Sequence, residues 1–484
     1  MKKARYLAAL LAAAQFAVLM SCGDSNGSSD GVGKTSENTT SEAVVDNPLD
    51  DDLPELNFNG KELRVRSITY DKGSYLTIFD MEEATGDVVL DSIYNRNRNI
   101  EQRFNMKFVY DEGLYNENYT LLKNIAMANE PSYDLIACIN RNAFSAGLEG
   151  WLMPMESLTY LDITKPYYSQ DINNQLCING KQLFAYSDEC IQMFEAAIAI
   201  VFNKKTTEEL GLEMPYNLVK SGKWTIDKMG EYLIAGAADL NGDGDMKHDE
   251  DRFGLITCYD MWYPTFWVSS GARTVINTDK GLVFNAPGNE RFVDALTKCV
   301  KMNTDGESVY VYTTNTNPRQ EAMKRFKDGY AYFLCMTLGR YNYLRDMEDD
   351  YGLVPFPKYD ESQENYNSRV IDGYIHVVPI TAPDPEFTSA IMEALASETA
   401  KNVFPAYYNK MLTQKVLRDE ESIDMLELIR ANRAMDLGDV TFYSSVRLKY
   451  EPSVTAGKTD FESVSASIKT SIDTMLADVM EKLS

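Results

Sequence analysis

Apolar residues along this chain recur with two periods, and segments of the two kinds alternate. KELRVRSITY (61–70) reads as a strand. VLDSIYNRNRNIEQRFN places Leu90, Ile93, Ile100 and Phe104 near one helical face, with Asn97 interrupting it. MKFVY (106–110) is a second strand, NYTLLKNIAMAN a short helix, YDLIACI (133–139) a third strand, and AFSAGLEGWLM another helix. The order β-α-β-α-β-α predicts a mostly parallel sheet with helices on both faces. Ligands of such sheets lie beyond the carboxyl ends of the strands. That points at Tyr70 after the first strand, and at Asn140 and Arg141 after the third.

GKQLFAYSDECIQMFEAAIAIVFNKK (180–205) is strand-rich and leads into a second block. There WTIDKMGEYLIAGAA has helical spacing, with Ile226, Met229, Tyr232 and Leu233 on one face, and DRFGLITCY reads as a strand. AMKRFKDGYAYFLCM (322–336) reads as helix then strand, and YGLVPFPK and VIDGYIHVVPI as strand-like pieces. From Asp384 onward the pattern is mainly helical, with a strand-like break near VTFYSS and an amphipathic end, FESVSASIKTSIDTMLADVMEKL. No internal repeat is visible. The chain beyond residue 58 is longer than one hydrophobic core grows, so two lobes are expected.

Between the helix at 226 and the strand near 253 lies DLNGDGDMKHDE (239–250). Set against the EF-hand calcium loop, Asp239 falls at position 1, Asn241 at 3, Asp243 at 5 and Gly244 at the sharp turn. Asp245 falls at position 7, where the backbone carbonyl serves, and Glu250 at the bidentate position 12. Lys247 at position 9 cannot ligate, so water is expected there. The bland alternative is a solvated acidic turn. A calcium sensor needs two helices that open, and a strand follows this loop. The expectation is therefore a structural calcium staple between helix and strand.

Composition narrows the class. The formal net charge is −26, and removing residues 1–21 also removes Lys2, Lys3 and Arg5. Such a chain is a poor partner for nucleic acid or anionic lipid. Hydrophobic residues make up 44% and aromatics 11%, with 30 Tyr, enough for packed cores and a binding face as well. The seven cysteines include no CxxC pair, and those in apolar runs (DLIACI, AYFLCM) read as buried free thiols. At the start, a positive n-region and the apolar LAALLAAAQFAVLM precede Leu19-Met20-Ser21-Cys22, which resembles a bacterial lipobox. An ordinary signal peptide with an incidental Cys is the plainer alternative. The Gly/Ser/Thr/Asn/Asp-rich segment after Cys22 has almost nothing to bury and reads as a disordered tether. No other apolar run reaches the ~20 residues of a spanning helix.

Several pieces, taken in order, resemble the extracellular solute-binding lipoproteins of ATP-driven (ABC) importers, the maltose-binding-protein-like family 1. They are NGKQLFAY, AIVFNKKTTEELGLEMP followed by GKWTIDKM, FKDGYAYFLCM, FTSAIMEALASETA, and VTFYSSVRLKY with the final amphipathic helix. The second crossing departs from the pattern at Ala331-Tyr332, where family members often have Ala-Met. The resemblance implies an α/β, two-lobed periplasmic-binding-protein-like fold with hinge-crossing strands. The implied division is a signal peptide (1–21), a tether (22–58), a first part of lobe 1 (59–187), and a first part of lobe 2 with the calcium loop (188–330). A return to lobe 1 (331–382) and a helical part mainly in lobe 2 (383–484) complete it. The implied activity is capture of an extracellular solute, an oligosaccharide by preference, by hinge closure and delivery to an ABC permease. The protein would be a monomer anchored to the bacterial cell membrane only by lipid on Cys22, extracytoplasmic, and would perform no chemistry.

Carried over by motif, the ligand-facing candidates are Tyr70 and Asn140 in lobe 1, Asp188 and Glu195 in the first crossing, and Trp262 and Trp267 in DMWYPTFWVSSGA. Arg340 after the second crossing, Asp372 and Tyr374 in IDGYIHV, and Tyr443 in VTFYSSV complete the set. Aromatic faces suit the apolar side of a sugar ring, and carboxylates, amides and Arg its hydroxyls. Core packing is the competing expectation for each aromatic. Trp151 and Trp224 read as structural. The rival functions are a surface-anchored polysaccharide-acting enzyme and a binding protein feeding a sensor. The only histidines are His248, inside the acidic loop, and His376, in an apolar strand with no evident partner, which disfavours His-based catalysis and zinc. A surface adhesin is a further rival, and peptide, polyol or uronate oligomer are alternative ligands.

Overall fold

The strands and helices of the first part form in the predicted order: β1 (Lys61–Ile68), α1 (Val88–Phe104), β2 (Met106–Gly113), α2 (Tyr115–Ala128), β3 (Leu135–Ile139) and α3 (Asn140–Leu148). The computed structural model describes residues 47–69, 79–189, 191–312, 317–371, 373–413 and 416–484. Tyr70, Cys22, Cys190, Asp372 and the signal segment lie outside them. α1 starts where the Asp87 side chain accepts from the Val89 and Leu90 amides, and stops where Asn105 turns left-handed at φ 49°. Asn97 does not interrupt the helix. It is buried and donates to the Phe79 carbonyl at 2.9 Å. All five residues of β3 are buried, as expected of a central strand covered on both faces.

The second block supplies β4 (Ile198–Asn203), α4 (Ile226–Gly236), β5 (Phe253–Cys258), α5 (Tyr259–Ser269), β6 (Val309–Tyr312), α6 (Pro318–Lys327), β7 (Ala331–Thr337) and β8 (Tyr351–Pro355). β9 (Tyr374–Val377), α7 (Pro385–Glu398), α8 (Phe404–Thr413), α9 (Glu420–Ala431) and α10 (Phe461–Lys482) follow. One sheet has the order β9-β3-β1-β2, with β1 parallel to both β2 and β3 and β9 antiparallel to β3. The other has the order β6-β5-β7-β4-β8, with β5, β6 and β7 parallel and β4 antiparallel to both its neighbours. Trp224 is a core residue, as expected: its indole N–H donates to the Pro355 carbonyl at 3.0 Å and its ring stacks on Phe333.

The division at 331 needs correction. β7 is fully buried between β5 and β4, so it belongs to the second sheet. The chain rejoins the first sheet at Tyr374, after passing the outgoing crossing: Val370 bridges to Ala197, and the Ile371 amide donates to the Ala196 carbonyl at 3.2 Å. A continuous apolar run such as AYFLCM fits the middle of either sheet, which is why the sequence misplaces it. The C-terminal part also begins in the first lobe. Phe387, Ile391 and Leu395 of α7 share a core with Leu63, Val65 and Phe104. The chain crosses again after α8, and α9 packs beside β8, where Tyr216 meets Ser422 at 2.8 Å. VTFYSS forms turns, and the short pairing in this region joins Ser368–Arg369 to Arg433–Ala434. Cys138 and Cys335, in the apolar runs, are buried free thiols as expected, and Cys177, Cys258 and Cys299 are free as well. No helix among the described residues is long and apolar enough to cross a membrane.

Candidate functional site

The crossing segments are joined by buried carboxylates. Asp188 is fully buried, and its Oδ2 accepts from Arg430 at 2.8 and 3.1 Å while Oδ1 accepts from Arg433 at 2.7 Å. Burial alone would raise its pKa, but the Arg433 and Arg430 guanidiniums outweigh it and hold the carboxyl below the ordinary range. Glu189 accepts the His376 amide at 3.0 Å on Oε1, and the same oxygen lies 3.1 Å from His376 Nδ1. His376 therefore has the partner that its sequence context did not reveal. Gln192 Oε1 accepts the Tyr374 amide at 2.7 Å.

Glu195 is buried too. Its Oε1 accepts from the Tyr407 hydroxyl at 2.8 Å, Oε2 has no hydrogen-bond partner, and Gly339 lies against it. Burial pushes its pKa up to about 8, against the lowering effect of the Tyr407 bond. Asn140 is 3% exposed and donates to the Tyr186 hydroxyl at 3.1 Å. Asn140, Asp188 and Glu195, expected to face a ligand, are instead joints of the scaffold, their polar atoms occupied or enclosed by protein.

Trp262 and Trp267 require the same correction. Both are 0% exposed. Trp262 donates to Asn303 Oδ1 at 2.8 Å and packs against Phe266 and Phe356. Trp267 donates to Asp436 Oδ2 at 2.9 Å and packs against Tyr263 and Phe292. α5 is buried all round from residue 261 to residue 269, so its indoles turn into the core and offer no face to a sugar.

What remains at the carboxyl ends of the strands is a chain of charged groups spanning both lobes. After β3, the Arg141 guanidinium lies 5.3 Å from the centre of the Tyr443 ring, and that of Arg447 lies 5.2 Å from it. Arg447 bonds Asp439 at 3.2 Å, and Asp439 takes Arg369 with both oxygens at 2.6 and 2.9 Å. Arg369 also donates to the carbonyl of Asp260, the second residue after β5, at 2.9 Å. The Asp260 carboxylate pairs with Arg319, in the first turn of α6, at 2.5 Å. Arg340, exposed in the turn after β7, stands near the end of β5, where it and Arg319 both act electrostatically on the Cys258 thiol. Of the sequence candidates, Arg340, Tyr374 and Tyr443 are thus brought to the strand ends. Asp260, Arg319, Arg369, Asp439 and Arg447 were missed. Asp260 and Arg319 announce themselves only by lying just beyond β5 and β6.

In the acidic loop, Asp239 accepts the Gly242 and Gly244 amides at 2.7 and 2.8 Å, and Asn241 and Asp243 accept the amides two residues on, each at 2.8 Å. Gly242 and Gly244 have φ of 76° and 80°, a conformation that favours glycine. Carboxylate oxygens of Asp239, Asp243 and Asp251 lie within 4.8 Å of one another. Asp251 was not among the expected ligands. Glu250 instead accepts from Asn241 at 3.1 Å and from Lys247 at 3.0 Å. The Lys247 ammonium also lies 3.2 Å from Asp243 and 3.6 Å from Asp245. The loop runs directly into β5, with Ala238 and Arg252 bridged across its base, so helix–loop–strand is the arrangement, as expected. His248 closes one side, 3.2 Å from the Tyr312 hydroxyl.

No protein-family model and no curated protein matches the sequence. Solved structures match in fold. UspC of M. tuberculosis is 13% identical with a TM-score of 0.56, covering 87% of this chain and 100% of its own. The sugar-binding protein MalE of Xanthomonas citri is 13% identical with a TM-score of 0.56, covering 86% and 98%. A cyclo/maltodextrin-binding protein complexed with maltotetraose is 14% identical with a TM-score of 0.54, covering 88% and 98%. The chain therefore has the α/β two-lobed periplasmic-binding-protein fold of these proteins.

Proposed function

We propose that this protein is an extracytoplasmic solute-binding protein, anchored by lipid on Cys22, that captures an oligosaccharide between its lobes and hands it to an ABC permease. The observation that carries the reading is the placement of Arg141 and Tyr443 within 5.3 Å of each other. The first extends from the first sheet. The second lies in a segment held to the second lobe by Asp436, which bonds Trp267 and Thr274. A solute touching both would favour the closed form. The maltotetraose bound by one structural neighbour, and the sugar-binding name of another, support a saccharide. The residues of the cleft bind the solute and carry out no reaction on it.

The acidic loop fits a calcium ion in donor chemistry. Hard carboxylate oxygens of Asp239, Asp243 and Asp251 converge, with Asn241, the Asp245 carbonyl and Glu250 as the remaining candidates. Calcium there would neutralise this charge and tie α4 to β5.

A thermal-shift screen of the mature domain against an oligosaccharide library tests the main reading. At least one saccharide should raise Tm in a concentration-dependent way and be recovered unchanged. Hydrolysis of the bound sugar, or no response to any sugar, contradicts it.

A further inference from the structure

The charges at the strand ends do not balance. Around the ends of β5 and β7, four guanidiniums (Arg319, Arg340, Arg369 and Arg447) gather about the carboxylates of Asp260 and Asp439, while Glu195, against Gly339 beside Arg340, is kept mostly uncharged at neutral pH by its burial. Asp439 is fully buried and already shared by Arg369 and Arg447. Asp260 is taken by Arg319, and its carboxylate acts only at longer range on Arg447. Arg340 is exposed and has no hydrogen-bond or ion-pair partner among the described residues. Exposed arginines are ordinary on a protein surface. This one stands at the carboxyl end of the central strand of the second sheet, where α/β folds place their ligands, in a chain whose overall charge is −26. A local excess of positive charge there runs against the field of the whole molecule, and focuses an anion on that one place.

The aromatic side of the site points the same way. Trp262 and Trp267 are buried in the core. The Tyr443 ring has guanidiniums at 5.3 and 5.2 Å. The stacking platform that a neutral sugar chain requires is therefore reduced to tyrosines such as Tyr443, and the charge in excess at the strand ends is carried by planar cations suited to two-point hydrogen bonding of a carboxylate.

We propose that the solute of this cleft is an acidic oligosaccharide, one whose sugar units carry carboxylates, and that Arg340 binds a carboxylate directly while Arg447 and Arg319 line its path. This rests on the solute-binding reading above and names the substrate class within it. The acid enters as the anion, and no bond is made or broken.

The test is isothermal titration of the mature domain with a panel of uronate oligomers, each beside its carboxyl-reduced neutral counterpart. An uronate oligomer should bind, its reduced counterpart more weakly, and added salt should weaken the acid's binding selectively. Arg340→Gln should lower affinity for the acid by about 10- to 100-fold and leave Tm without ligand unchanged, since Arg340 supports nothing in the fold. Arg447→Gln should weaken the same ligand. Equal binding of acid and reduced forms, or an unaffected Arg340→Gln, overturns the proposal. Binding of neutral saccharides alone overturns it while leaving the solute-binding reading standing. Failure of every saccharide, charged and neutral, removes both.

Discussion

Asp188 in the first crossing and Arg433 near the third are 245 residues apart and meet at 2.7 Å with both side chains almost fully buried. Arg430 takes the other oxygen, so one carboxylate pins two crossings together. Removing it strands two cations at the base of the lobes. Asp188→Ala should cost about 3–5 kcal/mol of stability, read by chemical denaturation. Because the pair holds the Asp188 pKa below its unfolded value, its contribution is present above about pH 4 and is lost as pH falls through the folded pKa. The variant should accordingly lose the part of the wild-type acid sensitivity that falls below pH 4.

Glu195 predicts the opposite trend. Its folded pKa of about 8 lies above the ordinary carboxyl value. Its contribution is therefore full below about pH 4.5 and declines as pH rises, until the folded carboxyl itself ionises near 8. Glu195→Gln stays neutral throughout, so its Tm should fall less between pH 6 and 9 than that of the parent. Below about pH 7, part of the remaining slope should belong to Glu393, held between Tyr167 and Tyr168, whose pKa burial raises to about 7. Parallel Tm–pH curves for variant and parent would contradict this account of Glu195.

Trp267 is a stability residue. Trp267→Ala removes a buried indole and one of the hydrogen bonds to the buried Asp436 carboxylate, and should cost about 3–5 kcal/mol, measured by urea unfolding. Trp262→Ala should behave alike. A folded double variant with stability unchanged and solute binding lost would restore these indoles to the cleft.

Calcium should raise Tm, by a shift equivalent to about 2.7 kcal/mol at a concentration one hundred times Kd, without increasing the binding of a hydrophobic dye. Lys247 bonds Glu250 and Asp243, which hold its ammonium above its ordinary pKa and compete for the same oxygens. Lys247→Gln should therefore tighten calcium binding, and Asp251→Asn should weaken it. Titration calorimetry reads both. A strong gain in dye binding with calcium would indicate an opening sensor instead of a staple.

The first lobe was legible because its strands and helices alternate locally, with Leu63 and Val65 on one period and Ile93, Ile100 and Phe104 on the other. The crossings were not, since β7 carries no mark of which sheet it joins. The acidic residues of the first crossing, Asp188 and Glu195, were picked out of the sequence only through the family resemblance, as ligand-facing groups. Their role was not legible there, because the partners of Asp188 lie more than 240 residues away. The tryptophans misled because aromatic content at a strand end is common to cores and sugar sites, and only the packing of α5 decides between them. Asp251, whose carboxylate converges with those of Asp239 and Asp243, lies one position past Glu250, where the calcium-loop pattern ends.

The most direct test of the central claim is native mass spectrometry of the mature domain as purified, without its lipid anchor. The account predicts a bound mass in whole sugar steps together with one calcium ion. A peptide-like adduct that persists when saccharides are added in excess would contradict it.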